Sequence, residues 1–196
     1  MGVKKYISAQ QLLDDSFLLA INIFESGYRP DFIVGIWRGG SPVGIAVQEL
    51  LAYLGIEADH IAIRTSYYIG INQRDKQVQV HGLGYIVKSV KAENSLLIVD
   101  DVFDTGKSID QVIDNLQREC RNHTPEIKVA TPYFKPRKNQ TDRIPDYYLH
   151  ETDDWLVFPH ELKGLKLNEV ISKKPGMEAV REKLLKLKKE GLPIYD

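Results

Sequence analysis

The sequence predicts an α/β fold in which helices flank a central parallel sheet of about five strands. Three observations support this: a globular composition, short apolar runs that recur along the chain, and amphipathic helical patterns between those runs. Of the 196 residues, 43% are hydrophobic and 27% are charged, so we expect one domain, 1–196, with a real core. Strands that alternate with helices form βαβ units, whose strands are parallel.

The predicted strands are short and nearly continuous apolar runs, which is typical of strands buried on both faces of a parallel sheet. The clearest run is Phe32–Trp37 (FIVGIW). Further strands are expected at about 60–64, 96–100, 127–133 and 146–150.

Three helices are predicted between these strands. The first spans about 8–27 and begins at Ser8, which lies in a capping-box pattern. The second has Ser41 as its N-cap and Pro42 at its first helical position. The third spans 108–120. Each carries an apolar stripe at helical spacing, so each is expected to pack on the sheet.

Two segments depart from this alternation. Residues 65–84 are too many for a compact connection and too polar for a core, which is typical of a lid. The alternation at 77–80 (QVQV) indicates that part of this segment is an exposed strand. From Leu162 onward the chain is rich in lysine, but apolar residues at helical spacing predict a docked or partner-facing helix; they are Met177, Val180, Leu184 and Leu187. The core is thus expected at about 6–162 and a helical extension at about 163–196.

Charge and composition exclude several classes of protein. The net charge of −1 provides no positive field for a nucleic-acid backbone, so a DNA-binding regulator is disfavoured. The single cysteine, Cys120, excludes an internal disulfide framework. No apolar run approaches the ~20 residues that cross a bilayer, and the first residues show no signal-type stretch. A cytoplasmic protein without nucleic-acid or membrane partners is expected.

The segment with the most chemical information is 96–108 (LLIVDDVFDTGKS). A buried strand runs into Asp100 and Asp101, then Asp104, and then a polar turn that opens a helix. Backbone N–H groups, hydroxyls and a helix N-terminus favour phosphate binding by this turn, which consists of Thr105, Gly106, Lys107 and Ser108. Three acids beside a phosphate would repel it unless a divalent cation neutralises them or sugar hydroxyls donate to them. Sugar hydroxyls together with Mg²⁺ meet both conditions.

The end of this turn also resembles the P-loop of nucleoside triphosphatases. That motif needs a glycine five positions before Gly106, where this chain has Asp101. A nucleoside triphosphatase is therefore a poor interpretation.

The segment VDDVFDTGKS resembles the phosphoribosyl pyrophosphate signature of type I phosphoribosyltransferases. That pattern is a hydrophobic strand, two acids, two mostly apolar residues, and then Asp-Thr-Gly with a small or basic residue. The resemblance implies the type I phosphoribosyltransferase fold. It also implies that Asp100 and Asp101 address the ribose 2- and 3-hydroxyls and Mg²⁺, that Asp104 faces the base, and that the turn at 105–108 holds the 5-phosphate.

A second similarity lies directly after the first buried strand, where the family has its pyrophosphate loop. Here the chain has Arg38, Gly39 and Gly40. Glycines let the backbone approach an anion closely, and Arg38 can pair with phosphate oxygens through two N–H groups. Family members often have a non-proline cis peptide bond at the residue before the glycine pair.

The long segment 65–84 resembles the family's flexible hood loop. Its Ser66 and Tyr67 resemble the Ser-Tyr pair that the purine enzymes close over the reaction centre. Closure would exclude water, which could otherwise capture the activated ribosyl carbon.

A third region resembles the base-recognition half of hypoxanthine, guanine and xanthine phosphoribosyltransferases, together with their small C-terminal hood; it consists of 133–136 (YFKP) and 154–161 (DWLVFPHE). By this resemblance Lys135 donates to the purine 6-oxo group. Trp155 stacks on the ring, and the Leu156 carbonyl contacts the exocyclic edge. Glu161 stands where the family usually has aspartate and would reach a second Mg²⁺ on pyrophosphate.

The resemblance covers roughly 6–162 and implies a Mg²⁺-dependent enzyme, a homodimer or homotetramer, that joins a 6-oxopurine to the ribose 5-phosphate of phosphoribosyl pyrophosphate. Asp104 would be the general base, with Ser66 and Tyr67 in the hood. The alternative is a regulatory protein that keeps the fold as a sensor of phosphoribosyl pyrophosphate or nucleotides. Asp104 and Lys135 are both present and no basic recognition element is evident, which favours the enzyme.

Overall fold

The computed structural model describes residues 4–69 and 76–192, which divide into two compact units. The larger unit is 15–153, and the smaller unit joins the N-terminal 14 residues to 154–196. The expected single domain, with a core at about 6–162 and an extension at 163–196, stays a prediction. Among the described residues, no helix is both long and apolar enough to cross a bilayer.

The strands of the described chain are β1 Lys4–Tyr6, β2 Phe32–Trp37, β3 Asp59–Ile69, β4 Lys76–His81, β5 Ser95–Val99, β6 Val102–Phe103, β7 Glu126–Phe134, β8 Tyr147–Glu151 and β9 Trp155–Val157. The helices are α1 Ala9–Glu25, α2 Gly40–Tyr53, α3 Gly84–Ser89, α4 Lys107–Cys120, α5 Leu167–Ser172 and α6 Glu178–Lys189. A 3₁₀ turn, Arg121–His123, follows α4.

In the described part of the larger unit, seven strands form one sheet in the order β4-β3-β2-β5-β7-β6, with β8 also paired to β7. The five strands expected from apolar runs correspond to β2, β3, β5, β7 and β8, and each pairs in parallel with its neighbour among them. The predicted α/β fold with a parallel central sheet is confirmed. The pair β3–β4 is antiparallel and had been expected mainly as a loop.

That correction concerns the segment 65–84. Thr65 pairs with Val80 and Ser66 with Gln79, so the described parts form two arms of a hairpin, and α3 begins at Gly84. The predicted strand at 77–80 is confirmed. β-Branched and aromatic residues alternate on these arms and favour strand pairing over a polar loop. Expectations about 70–75 lie outside the described residues.

The predicted helices are confirmed, with one correction at a helix start. The Ser8 hydroxyl accepts a hydrogen bond from the Gln11 N–H at 3.0 Å, so Ser8 caps α1 as expected. Ser41 does not cap α2, because α2 already begins at Gly40 and Gly39 is its N-cap residue. The Ser41 N–H donates to the Arg38 carbonyl at 3.2 Å, so the chain turns into the helix directly after Arg38.

The core of the larger unit lies between the sheet and α4. Every apolar residue of the predicted stripe on α4 is buried: Ile109, Val112, Ile113 and Leu116. They pack in one cluster with buried residues of the central strands, among them Val34, Leu96, Ile98 and Val129. Full burial of such a side chain contributes about 1.5–3 kcal/mol. This packing fixes the ends of β2, β5 and β7.

The smaller unit contains the parallel pair β1–β9 and the helices α5 and α6. Buried Val157, Leu165 and Val170 form its apolar cluster, against which Met177 and Leu184 pack. The predicted docked helix is therefore confirmed as α6. Two of its predicted apolar residues, Val180 and Leu187, are exposed. Helix α5 was not expected.

Candidate active site

The predicted phosphate-binding and base-binding residues of the larger unit follow three neighbouring parallel strands. Arg38 and Gly39 follow β2, Asp100 and Asp101 follow β5, and Lys135 follows β7. Because the carboxyl ends of parallel strands meet at one edge of a sheet, these residues lie along that edge. In open α/β sheets this is where ligands bind.

The loop after β2 lies directly against the acids after β5. A Cβ on Gly39 would overlap the Asp101 carboxylate, and a Cβ on Gly40 would overlap the Val99 carbonyl oxygen. Glycine is needed at both positions because no other residue leaves room for this approach. The peptide bond between Trp37 and Arg38 is cis, at the place where the resemblance led us to expect one. The Arg38 side chain is exposed beside this loop.

Asp100 and Asp101 form a close acidic pair. Asp101 is buried and Asp100 is half-buried, and the Asp101 N–H donates to Asp100 Oδ1 at 3.0 Å. Burial, and then the charge of Asp101, raise the pKa of Asp100 well above its ordinary value, against the lowering effect of hydrogen bonds from the Asp101 and Gly40 N–H groups. Two carboxylates in this arrangement favour a cation or hydroxyl donors between them.

These two carboxylates suit Mg²⁺. No group of three or more His, Cys, Asp or Glu side chains that could hold a metal is found within 4–69 and 76–192. Mg²⁺ is commonly held by one or two carboxylates, with water and substrate phosphates as its other ligands. The donor set of Asp100 and Asp101 fits that mode of binding, and it does not fit a metal held by protein ligands alone.

The turn at 104–108 opens α4 and lines a cleft. Gly106 has a φ of +77°, in the left-handed region, and a Cβ there would overlap Thr141 and the Phe103 ring. The Thr105 carbonyl accepts from the Gln140 N–H at 3.0 Å, which holds the turn in place. Lys107 begins the helix and is exposed. The cleft is lined by residues of the predicted signature, among them Asp100, Asp104, Thr105, Gly106 and Ser108.

Asp104 and Lys135 form an ion pair that sequence reasoning missed. Lys135 Nζ lies 3.2 Å from Asp104 Oδ2, and the Lys135 side chain is 6% exposed. The other oxygen, Asp104 Oδ1, is buried and has no hydrogen-bond partner among the described residues. The sequence suggested both residues as base ligands. Their pairing follows from the register of β6 with β7, since the Lys135 N–H donates to the Phe103 carbonyl at 2.9 Å.

A buried acid supports the end of β7 and was also missed. Asp15 accepts from the Tyr133 hydroxyl at 2.8 Å and lies 2.9 Å from His150 Nε2. Burial, and then the bond to Asp15, raise the pKa of Tyr133 above its ordinary value. Asp15 lies on the helix that precedes the first buried strand, far from the motifs in the sequence. Tyr133 is two residues before Lys135, so this network fixes the backbone that carries Lys135.

The predicted hood residue Ser66 lies on β3. Its hydroxyl is 3.1 Å from His81 Nε2 on β4, a partner that the sequence did not indicate. The side chain of Tyr67 lies outside the described residues. The proposed closing roles of Ser66 and Tyr67 stay predictions.

The remaining predicted site residues belong to the smaller unit. Trp155 is exposed and Leu156 is buried, and both lie on β9. Glu161 Oε2 accepts from the Phe158 N–H at 3.1 Å, so this carboxylate closes its own turn. The buried Lys174, missed from sequence, donates from Nζ to the Phe158 carbonyl at 2.6 Å. Burial lowers the pKa of Lys174, and the charge of Glu161 opposes this effect.

Comparison with known proteins identifies related chains. The phosphoribosyl transferase domain family matches residues 3–164. The xanthine-guanine phosphoribosyltransferase of Ruegeria sp. (strain TM1040) is 30% identical over 169 residues, which cover 80% of this chain and 85% of that protein.

Two solved structures are similar as well. A purine phosphoribosyltransferase from Pyrococcus horikoshii Ot3 superposes with a TM-score of 0.65 at 30% identity, covering 83% of this chain and 97% of that one. A hypothetical protein from Neisseria gonorrhoeae with bound ppGpp gives a TM-score of 0.70 at 17% identity, covering 97% of this chain and 98% of that one. At that identity the likeness concerns the fold alone.

Proposed function

Because this chain belongs to the phosphoribosyl transferase domain family, we propose that it transfers the 5-phosphoribosyl group of phosphoribosyl pyrophosphate to a 6-oxopurine. The products are the nucleoside 5′-monophosphate and pyrophosphate, and hypoxanthine, guanine and xanthine are the candidate bases. The observation that carries the proposal is the buried Lys135 ammonium, paired with Asp104 in the cleft that the signature turn lines.

The phosphoribosyl pyrophosphate is held in three parts. The turn at 105–108 binds the 5-phosphate through N–H groups at the start of α4, which have no partner within the helix. Asp100 and Asp101 accept hydrogen bonds from the ribose 2- and 3-hydroxyls. Arg38 and the N–H groups of the glycine loop bind the pyrophosphate. The close packing of Gly39 on Asp101 supports this assignment, because it joins the sugar-binding and pyrophosphate-binding parts of the site.

The base is recognised by the hydrogen-bonding capacity of Lys135. A lysine ammonium only donates, so it matches the carbonyl at position 6 of an oxopurine and does not match the amino group of adenine. Lys135 is already buried, so facing an amino group would leave a desolvated charge without an acceptor. The roles of Trp155 as a stacking residue and of Leu156 as a carbonyl ligand rest on the resemblance.

The chemical step joins a purine ring nitrogen to ribose C1 as the bond from C1 to the pyrophosphate breaks. Asp104 takes the proton from the imidazole part of the purine, and the departing anion is stabilised by Arg38. Asp104 Oδ1 is the atom available for this proton, since Oδ2 faces the Lys135 ammonium. Lys135 thus contacts the proton acceptor before base binds.

Mg²⁺, when bound, would neutralise phosphate charge, and Asp100 and Asp101 would hold it together with oxygens of the donor. Glu161 remains the proposed ligand of a second Mg²⁺, although its carboxylate has a local partner in Phe158. A cytoplasmic homodimer or homotetramer is proposed from the resemblance.

The regulatory alternative has less support. Relatives whose names state an activity are phosphoribosyltransferases. The acids and the lysine that an enzyme needs are present and contact one another. No observation on the described residues favours a sensor.

The test is an absorbance assay of nucleotide formation with phosphoribosyl pyrophosphate, MgCl₂ and each of hypoxanthine, guanine, xanthine and adenine. We expect turnover with at least one oxopurine, very little with adenine, and none in excess EDTA until Mg²⁺ is restored. No turnover with any oxopurine in Mg²⁺ rejects the proposed function. Full turnover in excess EDTA rejects the metal requirement alone.

A further inference from the structure

The segment after residue 164 lies beyond the residues that match the family. In the structure it is attached to the strand pair β1–β9. Glu169 on α5 lies 2.7 Å from Lys4 Nζ and accepts from the Tyr6 hydroxyl at 3.2 Å, and both partners belong to β1. Leu165 and Val170 pack on Val157 at the end of β9. This C-terminal segment therefore supports the strand that carries Trp155 and Leu156.

Lys174 connects the same segment to the turn after β9. Its side chain is buried, and Nζ donates to the Phe158 carbonyl at 2.6 Å. The Phe158 carbonyl also accepts from the Glu161 N–H at 3.0 Å. The Lys174 N–H donates to the Glu169 carbonyl at 3.1 Å, so the backbone of Lys174 is itself anchored to α5. A buried, charge-assisted hydrogen bond of this length holds its acceptor firmly.

The Leu156 carbonyl lies on the free side of β9. The Val157 carbonyl accepts from the Ile7 N–H at 3.0 Å, so it points toward β1. Successive carbonyls of a strand point to opposite sides, and in this two-stranded sheet β9 pairs with β1 alone. The Leu156 carbonyl thus faces the open edge, where an edge strand offers acceptors to a ligand.

We propose that Lys174 is a positioning residue for base recognition, acting through the Phe158 carbonyl to fix the Leu156 carbonyl on the open edge of β9. The proposal rests on the proposed function. Leu156 is two residues before Phe158, so movement of the Phe158 carbonyl is transmitted along one short, extended backbone. The ligand served by Leu156 is the exocyclic group at purine position 2.

Guanine and hypoxanthine distinguish this role from a general one. Guanine has an amino donor at position 2 that suits a carbonyl acceptor, whereas hypoxanthine has only hydrogen there. Displacing the Leu156 carbonyl therefore weakens guanine and leaves hypoxanthine nearly unchanged. Both bases use Lys135 equally, so their ratio isolates the effect.

The experiment measures KM and kcat of Lys174→Met for guanine, hypoxanthine and phosphoribosyl pyrophosphate. We expect KM for guanine to rise by about tenfold, as the loss of one hydrogen bond allows, with the other two KM values changed less than about twofold. Lys174→Arg, which keeps a donor, should recover most of the guanine affinity. Lys173→Met is the matched control, since Lys173 is its exposed neighbour.

Equal changes for guanine and hypoxanthine, or no change, would overturn the positioning role while leaving the proposed function intact. Absence of any turnover by the wild-type protein would reject both. If Lys174→Met does not fold by circular dichroism, Lys174→Gln takes its place, with a selective guanine defect expected because its shorter side chain cannot reach the Phe158 carbonyl.

Discussion

Lys135 Nζ lies 3.2 Å from Asp104 Oδ2, so the residue assigned to the purine 6-oxo group also holds the proposed general base. Lys135 follows β7, and Asp104 follows β6, which is paired with β7. One ion pair thus joins base recognition to proton transfer. Four predictions follow from this pair, from the glycine loop and from the C-terminal segment.

Asp104→Asn should lower kcat by about 10²-fold to 10⁴-fold, as loss of a general base does. An amide cannot accept the purine proton, but it keeps the shape of the side chain, so phosphoribosyl pyrophosphate affinity should change little. Steady-state kinetics and donor binding by calorimetry measure the two effects. Asp114→Asn, at an exposed position of α4, is the control. Near wild-type turnover of Asp104→Asn would show that another group accepts the proton.

Lys135→Ala should raise KM for hypoxanthine and guanine and narrow the gap between these bases and adenine. The buried donor that discriminates against the adenine amino group is then gone. KM for phosphoribosyl pyrophosphate should stay within about twofold, since the loss is confined to one hydrogen bond at the base. Lys138→Ala, an exposed lysine of the same turn, should behave as wild type. An unchanged base profile in Lys135→Ala would refute the assignment.

Gly39→Ala and Gly40→Ala should fail in different ways. A methyl group on Gly39 meets the Asp101 side chain, which can move away, so the fold should persist and KM for phosphoribosyl pyrophosphate should rise. A methyl group on Gly40 meets the backbone of β5, so we expect a loss of about 1–3 kcal/mol in the free energy of unfolding. Urea unfolding and kinetics separate the two. Gly84→Ala, which meets no atom within 4 Å, is the control.

Glu169 should stabilise the fold in a pH-dependent way. The hydrogen bond from Lys4 is the main cause that lowers the pKa of Glu169 to about 2, from an ordinary value of 4.5. Because the folded pKa lies below the unfolded one, this stabilisation is complete above about pH 4.5 and is lost as pH falls toward 2. The Tm difference between wild type and Glu169→Gln should therefore shrink between pH 6 and about 3.

The control for this series is Glu182→Gln, at an exposed position of α6. Its Tm difference from wild type should be small at every pH. A difference for Glu169→Gln that stays constant on acidification would mean that the charge of Glu169 does not contribute to stability.

The sequence by itself determined the fold class, since the continuous apolar runs at β2, β5 and β7 have few uses other than a parallel sheet with both faces covered. It also identified the acids and glycines of the site, because the segments around Asp100 and Arg38 combine residue types that follow a strand in a fixed order. These are local patterns, which are read directly along the chain.

The tertiary structure alone decided which of these residues touch. The contact of Gly39 with Asp101 and the pairing of Asp104 with Lys135 depend on which strands are neighbours and in which register. Lys174 lies 16 residues after its partner Phe158, and no periodicity joins the two. Such contacts arise when separate elements are packed into one core. A one-dimensional pattern contains no information on that packing, so pairs of residues distant in sequence had to be found in the structure.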